Sequence, residues 1–143
     1  MSKPEETRRC LTHEAITTDP HTWSISRLAY IGDAVFELYI RMALAARSDA
    51  ASGGLHGQSV HYVSAEAQAE ALESIKAALT EKEASLVRRG RNAKAHSMPK
   101  HADPAVYRLA TGFEALIGYL YLDGQDERVN ELCKRVWEAH QDG

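Results

Sequence analysis

Cysteine is nearly absent: Cys10 and Cys133 stand at opposite ends of a 143-residue chain. Two such thiols build neither a disulfide framework nor a closely spaced zinc pair, so reduced side chains in a reducing compartment are expected. Long apolar runs are missing as well. The longest nearly uninterrupted one, Ala115 to Leu122, falls far short of the roughly 20 residues that cross a bilayer. The charged N-terminus (Lys3, Glu5, Glu6, Arg8 and Arg9) leads into no apolar segment of signal type. A cytoplasmic protein with no membrane partner is the expectation. Gly and Pro together fill only 13 positions, which excludes collagen-like and low-complexity chains, and a length of 143 leaves room for a single domain.

One sign of charge is also missing locally. No acid occurs between residues 88 and 102, where Arg88, Arg89, Arg91, Lys94 and Lys100 fall together with His96 and His101. The whole chain carries a net charge of -3; without these five cations, twelve bases face twenty acids. Such a segment is either a solvated helix end and loop or a grip on a phosphate ligand. Composition alone leaves both open.

What is abundant is alanine, 22 residues, and leucine, 13, with no proline between Pro20 and Pro99. That combination predicts an all-α fold. The one Asp-Gly, Asp123-Gly124, closes a helical pattern and starts no hairpin, and no internal repeat is present. A short helix is expected over Glu5 to Cys10, within an N-terminal segment, residues 1–19, that is loosely ordered. Asp19-Pro20 reads as an N-cap followed by a first-turn proline. Further helices are expected over Ser26 to Arg47, Leu55 to Val63, Ser64 to Leu79, from the capping box Thr80/Glu83 to about Ala95, from Asp103-Pro104 to Asp123, and from Asp126 to His140. About seven helices result.

Two of these helices, Leu28 to Ala46 and Val106 to Leu122, are apolar on nearly every face, so each is expected at the core or at a subunit interface. Both carry carboxylates. Glu37 has Arg41 one turn on, the favourable order for a helical ion pair. Asp33 and Glu114 have no local partner, and an ionised carboxylate in apolar surroundings costs several kcal/mol, roughly, without compensation. A shared divalent cation would satisfy both, and so would a hydrogen-bonded core. Gly32, Gly112 and Gly118 mark places where helix backbones approach closely, so the two helices are expected to cross near the two acids. Oxygen ligands without His or Cys suit magnesium or manganese, whose usual work is to activate water and stabilise charge on a phosphate. His56 and His61, like His96 and His101, are five apart and do not share a helix face. With the basic stretch, the substrate class becomes a nucleic acid backbone.

At this point the motifs are specific. Leu28-Ala29-Tyr30-Ile31-Gly32-Asp33-Ala34-Val35-Phe36-Glu37-Leu38 resembles the signature helix of the ribonuclease III superfamily. Phe113 to Leu122 (FEALIGYLYL) resembles its second catalytic helix. Arg88-Arg89-Gly90-Arg91-Asn92-Ala93-Lys94, Pro99-Lys100 and the run from Tyr107 are similar to the mini-ribonuclease III branch, which consists of the catalytic domain without a double-stranded-RNA-binding domain. The resemblance spans roughly residues 20–140.

The resemblance implies an all-α, homodimeric endoribonuclease. It would cut double-stranded RNA with magnesium, or manganese in its place, leave a 5′-phosphate and a 3′-hydroxyl, and mature the ends of the 23S ribosomal RNA precursor. A large-subunit ribosomal protein that presents the substrate is a further implied partner. Asp33 and Glu114 match the catalytic, metal-binding acids. Arg91, Asn92, Lys94 and Lys100 are the candidates for gripping the RNA backbone, with Arg88 and Arg89 assisting. Such contacts read A-form shape and phosphate position more than sequence. Two acids of the larger ribonuclease III pattern are replaced, by Ala29 and Thr111, so fewer protein oxygens remain per site. The helix around Phe36 and Tyr39 is expected as part of the two-fold interface, with ordinary core as the alternative. The rival reading is an inactive ribonuclease-III-like dimer that holds structured RNA; retention of both Asp33 and Glu114 counts against it.

Overall fold

The computed structural model describes residues 19–47, 51–93 and 98–142. The expected helix at Glu5 to Cys10 lies outside them, as does nearly all of the segment 1–19. A short 3-10 turn, Pro20–Thr22, precedes six α-helices: α1 (Ile25–Arg47), α2 (Ser52–Val63), α3 (Ala65–Ile75, extended by a 3-10 turn Lys76–Ala78), α4 (Glu81–Arg91), α5 (Pro104–Leu122) and α6 (Asp126–Asp142). No strand occurs among the described residues.

Local chemistry sets most of the boundaries. The Asp19 carboxylate accepts from the His21 backbone N–H at 3.0 Å and meets His21 Nδ1 at 2.9 Å. Those two bonds hold its carboxyl below the usual aspartate range. His21 Nε2 in turn lies 2.9 Å from the Tyr119 hydroxyl, which ties the entrance of α1 to α5. Ser64 caps α3 through Ala67 N–H, and Asp103 caps α5 through Ala105 N–H with Pro104 in the first turn. The capping box of α4 is complete: Glu83 N–H donates to Thr80 Oγ1 at 3.1 Å, and Thr80 N–H to Glu83 Oε1 at 2.9 Å. Gly124, at φ 82°, ends α5 in the left-handed region. Gln125 N–H then reaches the Leu120 carbonyl and Gly124 N–H the Tyr121 carbonyl, a double closure that needs a residue without a Cβ at the turn.

One expected boundary is corrected. Helix α4 stops at Arg91, short of Ala95, because Asn92 N–H is shared between the Arg88 and Gly90 carbonyls and Ala93 N–H turns back to Gly90. That tightening unwinds the last turn.

The centre of the fold is α5, which packs against α1, α3, α4 and α6. Phe113, Ala115, Leu116 and Ile117 have no solvent exposure, and Phe36 of α1 meets Phe113 edge-on at 4.9 Å. Phe36 is therefore core, the alternative to its expected place in a two-fold interface; Tyr39 is half-buried. Helix α1 is also not covered on every face: Ala34, Leu38, Arg41 and Met42 are exposed along it. Its apolar residues serve two surfaces, one inside and one outside.

Two glycine contacts fix how α5 is held. A Cβ on Gly32 would run into the Glu114 carbonyl, and one on Gly118 into the Leu28 carbonyl, so α1 and α5 cross backbone to backbone at these residues. Gly112 meets a different helix. A Cβ on Gly90 of α4 would come within 2.7 Å of its Cα. Gly112 thus seats α4, not the α1 crossing to which spacing had assigned it.

Candidate active site

The crossing of α1 and α5 decides where the two unpartnered acids go. Asp33 follows Gly32 directly, and Glu114 is the residue whose carbonyl Gly32 abuts, so the two carboxyls lie near enough for the Asp33 charge to act on Glu114. Asp33 is exposed and Glu114 half-buried. The expectation of two acids in apolar surroundings is thereby corrected for Asp33, which opens the pair to solvent.

Burial pushes the Glu114 carboxyl up to about 8; the neighbouring Asp33 charge adds to this, and the amide of Gln68 on α3 acts the other way. Among the described residues no Lys or Arg forms an ion pair with either acid. Two carboxyls are crowded together with no cation paired to them among the described residues. The pair suits a small divalent cation with oxygen preference, and its opening leaves space for water and substrate as further ligands.

No third His, Cys, Asp or Glu joins them among the described residues. The replaced acids are accounted for: Ala29 is buried in the core, and the Thr111 hydroxyl is spent on the Tyr107 carbonyl at 3.0 Å. Glu37, by contrast, pairs with Arg41 Nε at 2.9 Å and is a structural residue.

The C-terminal end of α4, with Arg88, Arg89 and Arg91 in its last turn, is seated on α5. Gly90 rests on Thr111 and Gly112, so Arg91 and Asn92 emerge close to the turn of α5 that precedes Glu114. Arg88, Arg89, Arg91, Asn92 and Lys100 are all exposed. Arg88 has a loose contact with Glu81 at 3.8 Å, and no ion pair with Arg91 or Lys100 occurs among the described residues. Lys94 lies outside the described residues. Exposed Arg91 and Lys100, with no ion pair among the described residues, offer the kind of charge that a phosphate backbone would require.

Residues 26–125 match the family model of the ribonuclease III domain. The chain belongs to the ribonuclease III family of endoribonucleases. It is 51% identical over 116 residues to a mini-ribonuclease 3 of Symbiobacterium thermophilum, an alignment covering 81% of this chain and 89% of that protein. With a mini-ribonuclease 3 of Enterococcus faecalis it shares 47% identity over 120 residues, 80% of this chain and 91% of the other. A crystal structure of a protein from Fusobacterium nucleatum superposes with a TM-score of 0.76 at 27% identity, covering 86% of this chain and 98% of that one. Membership in the family thus rests on a model match, on curated relatives and on the all-helical fold. None of the helices described is long and apolar enough to cross a membrane.

The residue that spacing did not single out is Gln68. On α3 it sits among alanines and beside exposed glutamates, and nothing in its local sequence distinguishes it. Only its burial next to Glu114 does.

Proposed function

We propose that this chain is a magnesium-dependent endonuclease for double-stranded RNA that works as a homodimer in the bacterial cytoplasm and matures the 5′ and 3′ ends of the 23S ribosomal RNA precursor. The observation that carries the reading is the juxtaposition of Asp33 and Glu114 at the α1–α5 crossing, with no Lys or Arg among the described residues paired to either. Asp33 and Glu114 would hold magnesium. When bound, the ion supplies Lewis-acid activation of water and offsets the charge that builds on the phosphate.

The rest is done by this chain. Arg88, Arg91, Asn92 and Lys100, exposed at and after the end of α4, bind phosphates and set the helix register of the RNA over the acid pair; Lys94 has the same role by its place in the sequence. The fixed crossing at Gly32 and Gly118 keeps the two carboxyls from moving apart. Support for a second copy comes from α1, where Tyr30, Leu38 and Met42 are 80%, 57% and 56% exposed. Together with Ala34 they form an apolar line at helical spacing beside Asp33, and such a line favours burial. Two sites placed about a two-fold axis would each cut one strand. A ribosomal protein that presents the precursor completes the proposed set of partners.

The decisive experiment incubates the wild type and Asp33→Asn with a duplex RNA, with magnesium and with chelator. The wild type cuts only with magnesium, and Asp33→Asn binds the duplex without cutting. Cleavage by Asp33→Asn at the wild-type rate, or binding without cleavage by the wild type, overturns the reading.

A further inference from the structure

Helix α3 turns Glu66, Glu70 and Glu73 to solvent and packs Ala71, Leu72 and Ile75 inward. Gln68 shares the inward face at 1% exposure, and its Nε2 completes no hydrogen bond. Burying an amide without its partner costs roughly 1–3 kcal/mol, and a Leu or Met would fill the same space without that cost. What the amide faces is Glu114, whose charged form it favours.

A carboxylate that must hold a cation needs its other side fixed by a donor. A Lys or Arg in that place would compete with the ion, whereas a neutral amide donates without adding charge. We infer that Gln68 is a positioning residue: its Nε2–H is donated to the Glu114 carboxylate when that carboxylate holds a divalent cation, and so orients it toward Asp33. Donors one shell behind a metal ligand typically change metal affinity 10- to 100-fold, roughly, when removed. This inference rests on the proposed metal site.

The test compares the full-length wild type with Gln68→Met and Gln68→Leu, and with Asp33→Asn as the reference that removes a ligand. Manganese and magnesium are titrated by calorimetry, and thermal unfolding is followed in chelator. Gln68→Met weakens metal binding by about tenfold or more and leaves the metal-free unfolding temperature equal or higher, because the unpartnered amide is gone. The magnesium concentration needed for half-maximal cleavage rises in step, while the rate at saturating magnesium changes much less. Gln68→Leu gives the same pattern with a different side-chain shape, which separates the amide from packing. Unchanged metal affinity in both Gln68 variants, with affinity lost in Asp33→Asn, makes Gln68 an ordinary core residue and ends the inference. Affinity unchanged in Asp33→Asn as well removes the metal site itself.

Discussion

Glu83 and Glu114 are both glutamates turned inward on helices that pack together, and their surroundings are opposite. Glu83 is 6% exposed, and Arg128 of α6 grips it twice: Nε donates to Oε2 at 2.9 Å and Nη2 to Oε1 at 2.8 Å. The Thr80 N–H adds a third bond, and these contacts, Arg128 first, hold the Glu83 carboxyl below its ordinary range. Arg128 also donates to the Ala78 carbonyl and pairs with Glu131, so its charge is fully used. Glu114 has a second acid where Glu83 has a guanidinium, and an amide where Glu83 has a capping box. A buried carboxylate with both oxygens engaged by donors is architecture. One left with an acid beside it is where the proposed cation would be held.

The comparison breaks most visibly at Arg128. Arg128→Ala leaves Glu83 buried without its cation, and a loss of about 3 kcal/mol is expected in urea unfolding; a loss below about 1 kcal/mol would make Glu83 no better paired than a surface acid. Glu114→Gln has the opposite sign. The Glu114 carboxyl is raised in the fold, so its cost is absent below the ordinary glutamate range and grows as pH rises toward about 8. In chelator at pH 9, Glu114→Gln is therefore more stable than the wild type by about 2 kcal/mol, and at pH 4 the two converge. Equal stabilities at both pH values would show that neither burial nor the Asp33 charge penalises the ionised Glu114 carboxyl. The smallest effect is the acid limb of Glu83. Its lowered carboxyl contributes stability that is complete above the ordinary glutamate range and is lost as pH falls through its own value. Arg128→Ala should thus flatten the acid unfolding profile of the wild type; an unchanged profile removes the linkage.

How much of this was legible differs from residue to residue. The capping box Thr80/Glu83, the caps Asp19 and Asp103, and the stop at Gly124 are local, since each bond joins residues within a few positions of one another. The Glu37–Arg41 pair is local in the same sense. Sequence patterning could say that Asp33 and Glu114 lack such partners, and the family resemblance that they belong together. It could not say that Phe36 faces inward while Tyr30, Leu38 and Met42 face out, because α1 is apolar on both sides and periodicity does not choose between them. Nor could it send Gly112 to α4 and Gly118 to α1, for both are glycines on one helix six positions apart. Gln68 was invisible for a similar reason: an amide among alanines carries no signal until a neighbour gives it a task.

The chain by itself determined its helices, their caps and breaks, and which acids and bases stand without local company. These are matters of nearest neighbours along the backbone, where spacing and side-chain chemistry act directly. Only the tertiary structure decided that Arg128 would answer Glu83, that no Lys or Arg among the described residues would pair with Glu114, and that Gln68 would stand behind it. Such choices depend on which helix faces meet, and meeting is a property of packing between residues tens of positions apart.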